Sequence, residues 1–193
     1  MPTVLDAGSC ILRPFRPGDE ESVARHANDR RVAIQLRDRF PHPYTIDDAH
    51  EWVSAASTLD PVTTFAITLP GDDDETIGGI GLLPGSDIER IAAEVGYWLG
   101  VRFWNRGLTT AALRAITAYG FETLALERIF ALPFATNVAS VRVLEKAGYQ
   151  REGLLRRSAI KEGVVMDQAV YAKIREYGST GVREYGSTGV TVV

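Results

Sequence analysis

The sequence predicts a mixed α+β domain: a central mixed sheet of about seven strands with helices on both faces. Three observations predict it. Strand-like and helix-like periodicities follow one another in the order β-α-α-β-β-β-α-β-α-β-β. The one strand–helix–strand unit, through Leu108 to Phe121, calls for a right-handed parallel crossover. The composition is that of a globular chain, 45% hydrophobic and 24% charged over 193 residues. A chain of this length forms one domain and buries about 70% of its unfolded surface without staples.

Each element has its own signal. Cys10 to Phe15 (CILRPF) reads as a short strand, closed by Pro14, Pro17 and Gly18. Asp19 to about Gln35 carries helix formers with Val23, Ala27 and Ile34 roughly on one face. FPHPYT, Phe40 to Thr45, is a proline-broken loop. Thr45 then offers an N-cap, with Asp47 and Asp48 in the first turn, for a helix through about Ser57. Thr63–Leu69, Thr76–Leu83 and Ala92–Leu99 are strands, the first two flanking the polar turn GDDDE as a hairpin. Leu108, Ala111, Ala112, Ala115, Ile116 and Tyr119 form one apolar helical stripe. Arg128 to Phe134 is a strand, and Val138 to Ala147 a helix stopped by Gly148. Two strands, near Tyr149–Ile160 and Val164–Ile174, complete the domain, residues 1–174. Residues 175–193 are an extension in which REYGSTGV occurs twice. Two eight-residue copies are too few and too short for a solenoid. The extension reads as an added duplication or as a terminal strand pair on a sheet edge, including one across a homodimer.

Composition removes several classes of function. Net charge is 21 minus 25, or −4, with no basic stripe, which argues against a nucleic-acid partner. Cys10 stands alone, and His26, His42 and His50 lack i,i+3 or i,i+4 spacing, so no metal site is expected. No apolar run approaches about 18 residues, so no membrane span is expected. MPTVLDAGSC lacks the charged start and apolar stretch of a secretory signal. The expected setting is cytoplasmic.

The strongest local signal is VRFWNRGLTTAALRAI, Val101 to Ile116, which joins a strand to a helix through Arg106 and Gly107. A helix start leaves unpaired N–H groups and a partial positive charge, which suit an anion. Gly107 admits a ligand close to the backbone, and Arg106 adds charge-assisted bonds to a phosphate. The alternative is a glycine-containing connection capped by Thr109. No Gly-Lys-Ser/Thr follows, and Gly78, Gly79 and Gly81 miss the G-x-G-x-x-G spacing, so neither a P-loop nor a dinucleotide fingerprint is present.

YWLGVRFWNRGLTTAALRA resembles motif A of the GNAT acetyltransferase superfamily, R/Q-x-x-G-x-G/A. Trp104 takes the first place, as in the RimJ/RimL-type branch, Gly107 the invariant glycine's and Thr109 the last. NVASVRVLEKAGY, Asn137 to Tyr149, is similar to the N-x-x-S-x-x-V/L-x-x-K-x-G-F segment of that branch. LRPFRPGDEESV and PYTIDDAHEWV are weaker matches, and the four lie in the right order over Leu12 to Ile174.

The resemblance implies acetyl-CoA as co-substrate and an amine as acceptor. Pyrophosphate would sit on the N–H groups of Arg106, Gly107, Leu108, Thr109 and Thr110. The pantetheine arm would run along Tyr97-Trp98-Leu99, where that strand and Arg128–Phe134 splay apart. Asn137 would reach its amides; it is equally the N-cap of the helix from Val138. Ser140 would lie near the acyl sulfur, to protonate or hydrogen-bond the leaving thiolate, or serve only as a cap. Relatives place a Tyr seven residues after the Asn; Leu144 stands there here.

Glu94 is the candidate base. Strand alternation puts Glu94, Gly96 and Trp98 on one face, and Ala93, Val95 and Tyr97 on the other. A carboxylate in an apolar strand is either a water-linked base facing the amine or a salt-bridged residue. An α-amine, with pKa about 7.7–8.0, needs less help than a lysine at about 10.4, and one carboxylate suits the former. Direct attack is expected, with Cys10 outside the chemistry and a backbone N–H of Trp98 or Leu99 holding the oxyanion. The pocket is expected from the loop Arg37 to Thr45 and the final strand pair. A protein N-terminus leads as acceptor; a small amine, or acyl-CoA binding without turnover, are the alternatives.

Overall fold

The computed structural model describes residues 3–177. It begins with β1 (Leu5–Asp6), β2 (Ile11–Pro14), α1 (Glu20–Ala27), α2 (Arg30–Ala33) and α3 (Ile46–Ser57). Next come β3 (Thr64–Thr68), β4 (Gly78–Pro84), β5 (Ala92–Leu99) and α4 (Leu108–Glu122). The last elements are β6 (Arg128–Ala131), α5 (Val138–Lys146), β7 (Gln150–Lys161) and β8 (Val164–Ile174). One eight-stranded sheet has the order β1-β2-β3-β4-β5-β6-β8-β7. Its neighbours are antiparallel except β5 and β6, the parallel pair joined through α4.

Two differences from expectation have local causes. The helix expected from Asp19 to Gln35 is broken, because Asp29 is extended (φ −139°, ψ 124°) and its side chain accepts from Arg31 N to start α2 afresh. The strand count is eight because Leu5–Asp6 pairs with Ile11–Leu12. Two residues are too few for a periodicity to reveal. Around Thr45 the expected cap is realised in full: its hydroxyl accepts from Asp48 N, while Asp48 accepts from Thr45 N at 2.7 Å.

The sheet separates two cores. On one face Leu113, Ile116 and Leu144 from α4 and α5 pack with Ile80, Val95 and Ile129. On the other, Val23, Ala49 and Val53 from α1 and α3 pack with Phe15, Ala66 and Trp98. These side chains are almost wholly withdrawn from water, at roughly 25 cal/mol per Å² of apolar surface. A buried ion pair ties β2 to α1: Arg13 donates to both oxygens of Asp19, at 2.6 and 2.8 Å. Beyond Ile174, Arg175 N still donates to Glu127 O at 2.9 Å. Most of the duplicated tail, 178–193, lies outside the described residues.

Candidate active site

The site begins where β5 and β6 part. Their pairing covers Ala92↔Arg128, Ala93↔Ile129 and Glu94↔Phe130. Beyond Glu94, β5 continues to Leu99 while β6 ends at Ala131, so a gap opens along Val95–Leu99. Gly85 N bonds Ala92 O, and Gly100 N bonds Ile77 O, so even-numbered residues of β5 spend their backbone groups on β4. Glu127 N bonds Ile91 O, which sets the odd parity toward β6. The backbone groups of Val95, Tyr97 and Leu99 therefore face the gap. Of the two oxyanion candidates, Leu99 directs its N–H there and Trp98 does not.

At the far end of the gap is the turn before α4. Gly107 is left-handed (φ 78°), and no side chain caps the helix, Thr109 included. A Cβ built on Gly107 would meet nothing within 4 Å. The first N–H groups of α4, on Leu108, Thr109 and Thr110, thus have no side-chain cap, as an anion site requires. Trp104 folds back and its Nε1 donates to Leu99 O at 2.7 Å, which closes the turn onto the strand end. The Arg106 guanidinium lies 5.6 Å from the Phe103 ring centroid. This geometry fits a pyrophosphate with an extended arm leading from it along β5.

Cys10 lies closer to this turn than its place in the sequence suggests, its Sγ donating to Leu108 O at 3.6 Å. It is fully buried, and burial pushes its thiol up to about 11, which suits a core residue rather than a nucleophile.

Glu94 and Ser140 come to opposite faces of the sheet. Glu94 shares its face with Gly96 and Trp98, beside α1 and α3. There Arg37, from the segment between α2 and α3, places Nη2 at 2.5 and 2.7 Å from the two Glu94 oxygens. Asn137 caps α5 through Oδ1, which accepts from Ser140 N at 3.0 Å. The cap belongs to Asn137, so the Ser140 hydroxyl is free of that task. It lies 2.7 Å from the Tyr97 hydroxyl instead. Burial pushes the Tyr97 phenol up to about 12, the Ser140 contact opposing it in part. Leu144 is fully buried in the core and carries no proton.

Sequence reasoning missed two partners. Tyr97 was placed on the correct face of β5, yet its meeting with Ser140 depends on where α5 docks. Arg37 contacts a residue 57 positions away, and no spacing announces that. A cavity of about 290 Å³ is bounded by Ile34, Gln35, Phe134, Thr136, Lys161 and Met166. It lies between the residues just after α2, the segment before α5 and the β7–β8 hairpin, and the loop Arg37 to Thr45 contributes none of its lining. No group of three or more metal-ligating side chains occurs among the described residues. Among them no helix is long and apolar enough to cross a membrane.

An eight-stranded mixed sheet parted beside a glycine-opened helix start defines an acyl-CoA-dependent transferase. Residues 10–150 match the family described as the acetyltransferase (GNAT) domain, and the chain belongs to that family. As a member of that family the chain is an acetyl-CoA-dependent N-acetyltransferase. The chain is 36% identical over 180 residues to the uncharacterized N-acetyltransferase YoaA of Bacillus subtilis, covering 89% of this chain and 97% of that one. An acetyltransferase (GNAT family) structure from Bacillus anthracis superposes with TM-score 0.77 at 24% identity, over 89% of this chain and 98% of that one. Mycobacterium smegmatis RimJ, solved with CoA-disulfide, superposes with TM-score 0.75 at 23% identity, over 90% and 88%.

Proposed function

We propose that the protein acetylates an α-amine by direct attack on acetyl-CoA, and that a protein or peptide N-terminus is its acceptor. One observation carries the reading: Glu94 and Ser140 stand on opposite faces of the sheet at the same gap, so that an acceptor taking the Glu94 side leaves the Ser140 side to the departing sulfur. The amine nitrogen attacks the thioester carbonyl carbon, forming the C–N bond. Leu99 N–H receives the developing oxyanion. The C–S bond breaks and its electron pair leaves with sulfur. The proton lost from nitrogen passes through water to Glu94, and Ser140 passes a proton to the thiolate while taking one from the Tyr97 hydroxyl, which water then restores. Arg37 occupies one lone pair on each Glu94 oxygen, and a carboxylate retains others for that water.

The same reading takes residues 1–174 as the catalytic unit and 175–193 as an extension to it. The test is acetyl transfer from acetyl-CoA to a panel of peptides and small amines, followed by thiol release. Glu94→Gln should lower turnover roughly 10²-fold, as loss of a general base does, while acetyl-CoA affinity stays within a factor of about two. Full turnover of Glu94→Gln from pH 6 to 9 would make Glu94 structural. Transfer to small amines alone would replace the peptide acceptor with a small molecule.

A further inference from the structure

We infer that Arg37 selects acceptors that carry a carboxylate within a few ångströms of the reacting amine. This deepens the proposed α-amine acetylation and rests on it. The observation is the pairing of the candidate base with a cation from another element. Arg37 Nη2 bridges both oxygens of Glu94, and the two side chains are 51% and 22% exposed.

Arg37 is not placed there by chance of a loose side chain. Its segment is pinned to the same face of β5 by Phe40, whose ring lies 5.7 Å from Trp98 and 4.9 Å from Tyr44. Between Glu94 and Trp98 on that face is Gly96, which is exposed. A Cβ built on it would meet nothing within 4 Å. The face therefore offers an open slot, with the carboxylate of Glu94 at one side and the Arg37 guanidinium at its mouth.

An incoming ammonium competes with Arg37 for Glu94. If the acceptor is otherwise neutral, Arg37 loses its carboxylate partner and gains a like charge nearby. If the acceptor brings its own carboxylate, the two ion pairs exchange partners and no charge is stranded. The arriving carboxylate then bonds Arg37 while the nitrogen faces Glu94 across water. Two sources supply this chemistry: the α-carboxylate of a free amino acid, and the side chain of an acidic first residue in a peptide.

The experiment compares matched pairs with the full-length protein and acetyl-CoA. One arm sets glycine against glycinamide; the other sets Asp-Ala-Ala against Asn-Ala-Ala. For each pair, the ratio of kcat/KM is measured in the wild type and in Arg37→Gln. Dividing the two ratios cancels the intrinsic reactivity of each amine. In the arm that holds the natural source, the ratio should fall about tenfold or more on substitution, chiefly through KM. Arg37→Lys should restore part of it, and Arg16→Gln, on a separate exposed pair with Asp74, should leave it unchanged. Ratios equal in wild type and Arg37→Gln in both arms, with acetylation intact, would overturn the inference and leave the α-amine reading standing. Calorimetry of the same compounds on the CoA complex separates the converse. Arg37-dependent carboxylate binding without transfer would uphold the selection and remove the catalytic reading.

Discussion

The Tyr97 hydroxyl lies 2.7 Å from the Ser140 Oγ, linking strand β5 to the first turn of α5 across the gap between β5 and β6. Two hydroxyls at this distance share one proton between them. If Tyr97 donates, the Ser140 proton is aimed away from the strand, toward the gap. In the mechanism proposed above, Tyr97 would then position Ser140. Removing either hydroxyl should slow transfer without loosening acetyl-CoA. Ser140→Ala should lower kcat by roughly 10- to 10²-fold, at the lower end of general acid effects. Tyr97→Phe should lower it by up to about tenfold, the worth of one hydrogen bond. Steady-state kinetics would check both, with Ser140→Thr restoring part of kcat. Equal rates for all variants would leave the pair a packing contact.

Tyr97 also makes a prediction about pH. Its folded-state pKa, near 12, lies above the ordinary 10.0, because burial disfavours the phenolate. The sign follows directly: the folded chain holds this proton more tightly than the unfolded one. Its contribution to stability is present below pH 10 and is lost as pH rises toward about 12. Spectrophotometric titration should therefore show phenolate from Tyr97 only near alkaline unfolding. Tyr97→Phe should flatten the fall of stability between pH 10 and 12. A Tyr97 phenolate detected in the folded protein near pH 10 would contradict this.

The turn before α4 predicts a separation of binding from folding. Gly107 is left-handed, so any β-branched residue there is strained, whatever the space around it. Gly107→Val therefore mixes two effects. Gly107→Asn does not, because Asn tolerates the left-handed region and its Cβ meets open space. Both variants should weaken acetyl-CoA binding more than tenfold, about 1.4 kcal/mol or above. Only the Val variant should also lower Tm. Calorimetric titration beside thermal melts would check this; unchanged affinity in Gly107→Asn would move the pyrophosphate elsewhere.

How far these sites were legible in the sequence varies with the distance over which each contact is made. The Thr45 cap, the apolar stripe of α4 and the alternation along β5 depend on neighbours two to four residues apart, and all were readable. Gly107 and Asn137 were readable because a helix start has few chemical solutions. The break at Asn28-Asp29 was not, since two Asx residues in a helical run also fit a solvent face. The Glu94–Arg37 and Tyr97–Ser140 contacts span 57 and 43 positions, and only tertiary docking brings them together. Periodicity assigns such residues a face but not a partner.

The Arg13–Asp19 pair predicts where the fold is most brittle. Their side chains are 6% and 2% exposed. Arg13 also donates to Asp73 O at 2.7 and 3.0 Å, so one guanidinium binds β2, the start of α1 and the β3–β4 turn. Losing one member strands a charge in the interior. Asp19→Asn should cost about 3–5 kcal/mol, the usual penalty for breaking a buried pair. A calorimetric Tm lowered by several degrees, with acetyl-CoA affinity retained below it, is the expected result.

The duplicated tail supports the last prediction. Residues 175–193 contain REYGSTGV twice, a composition rich in Gly, Ser and Thr that offers little apolar area against the entropy of ordering. Its first residues are nevertheless tied to the domain. Arg175 N bonds Glu127 O, and the Arg175 guanidinium lies 4.0 Å from Glu127 Oε1, with the Tyr177 ring stacked beside it at 5.5 Å. The informative cut is therefore after Tyr177 rather than after Ile174. Deleting 178–193 should leave kcat/KM for acetyl-CoA within a factor of about two, too small a change for a lost transition-state contact. Deleting 175–193 should in addition lower Tm, because the Glu127 carbonyl loses its partner. Sedimentation of both truncations gives the second readout. A change in mass with chemistry intact would place the tail at a subunit interface. A collapse of turnover in a shortened protein that still melts cooperatively would place it at the active site.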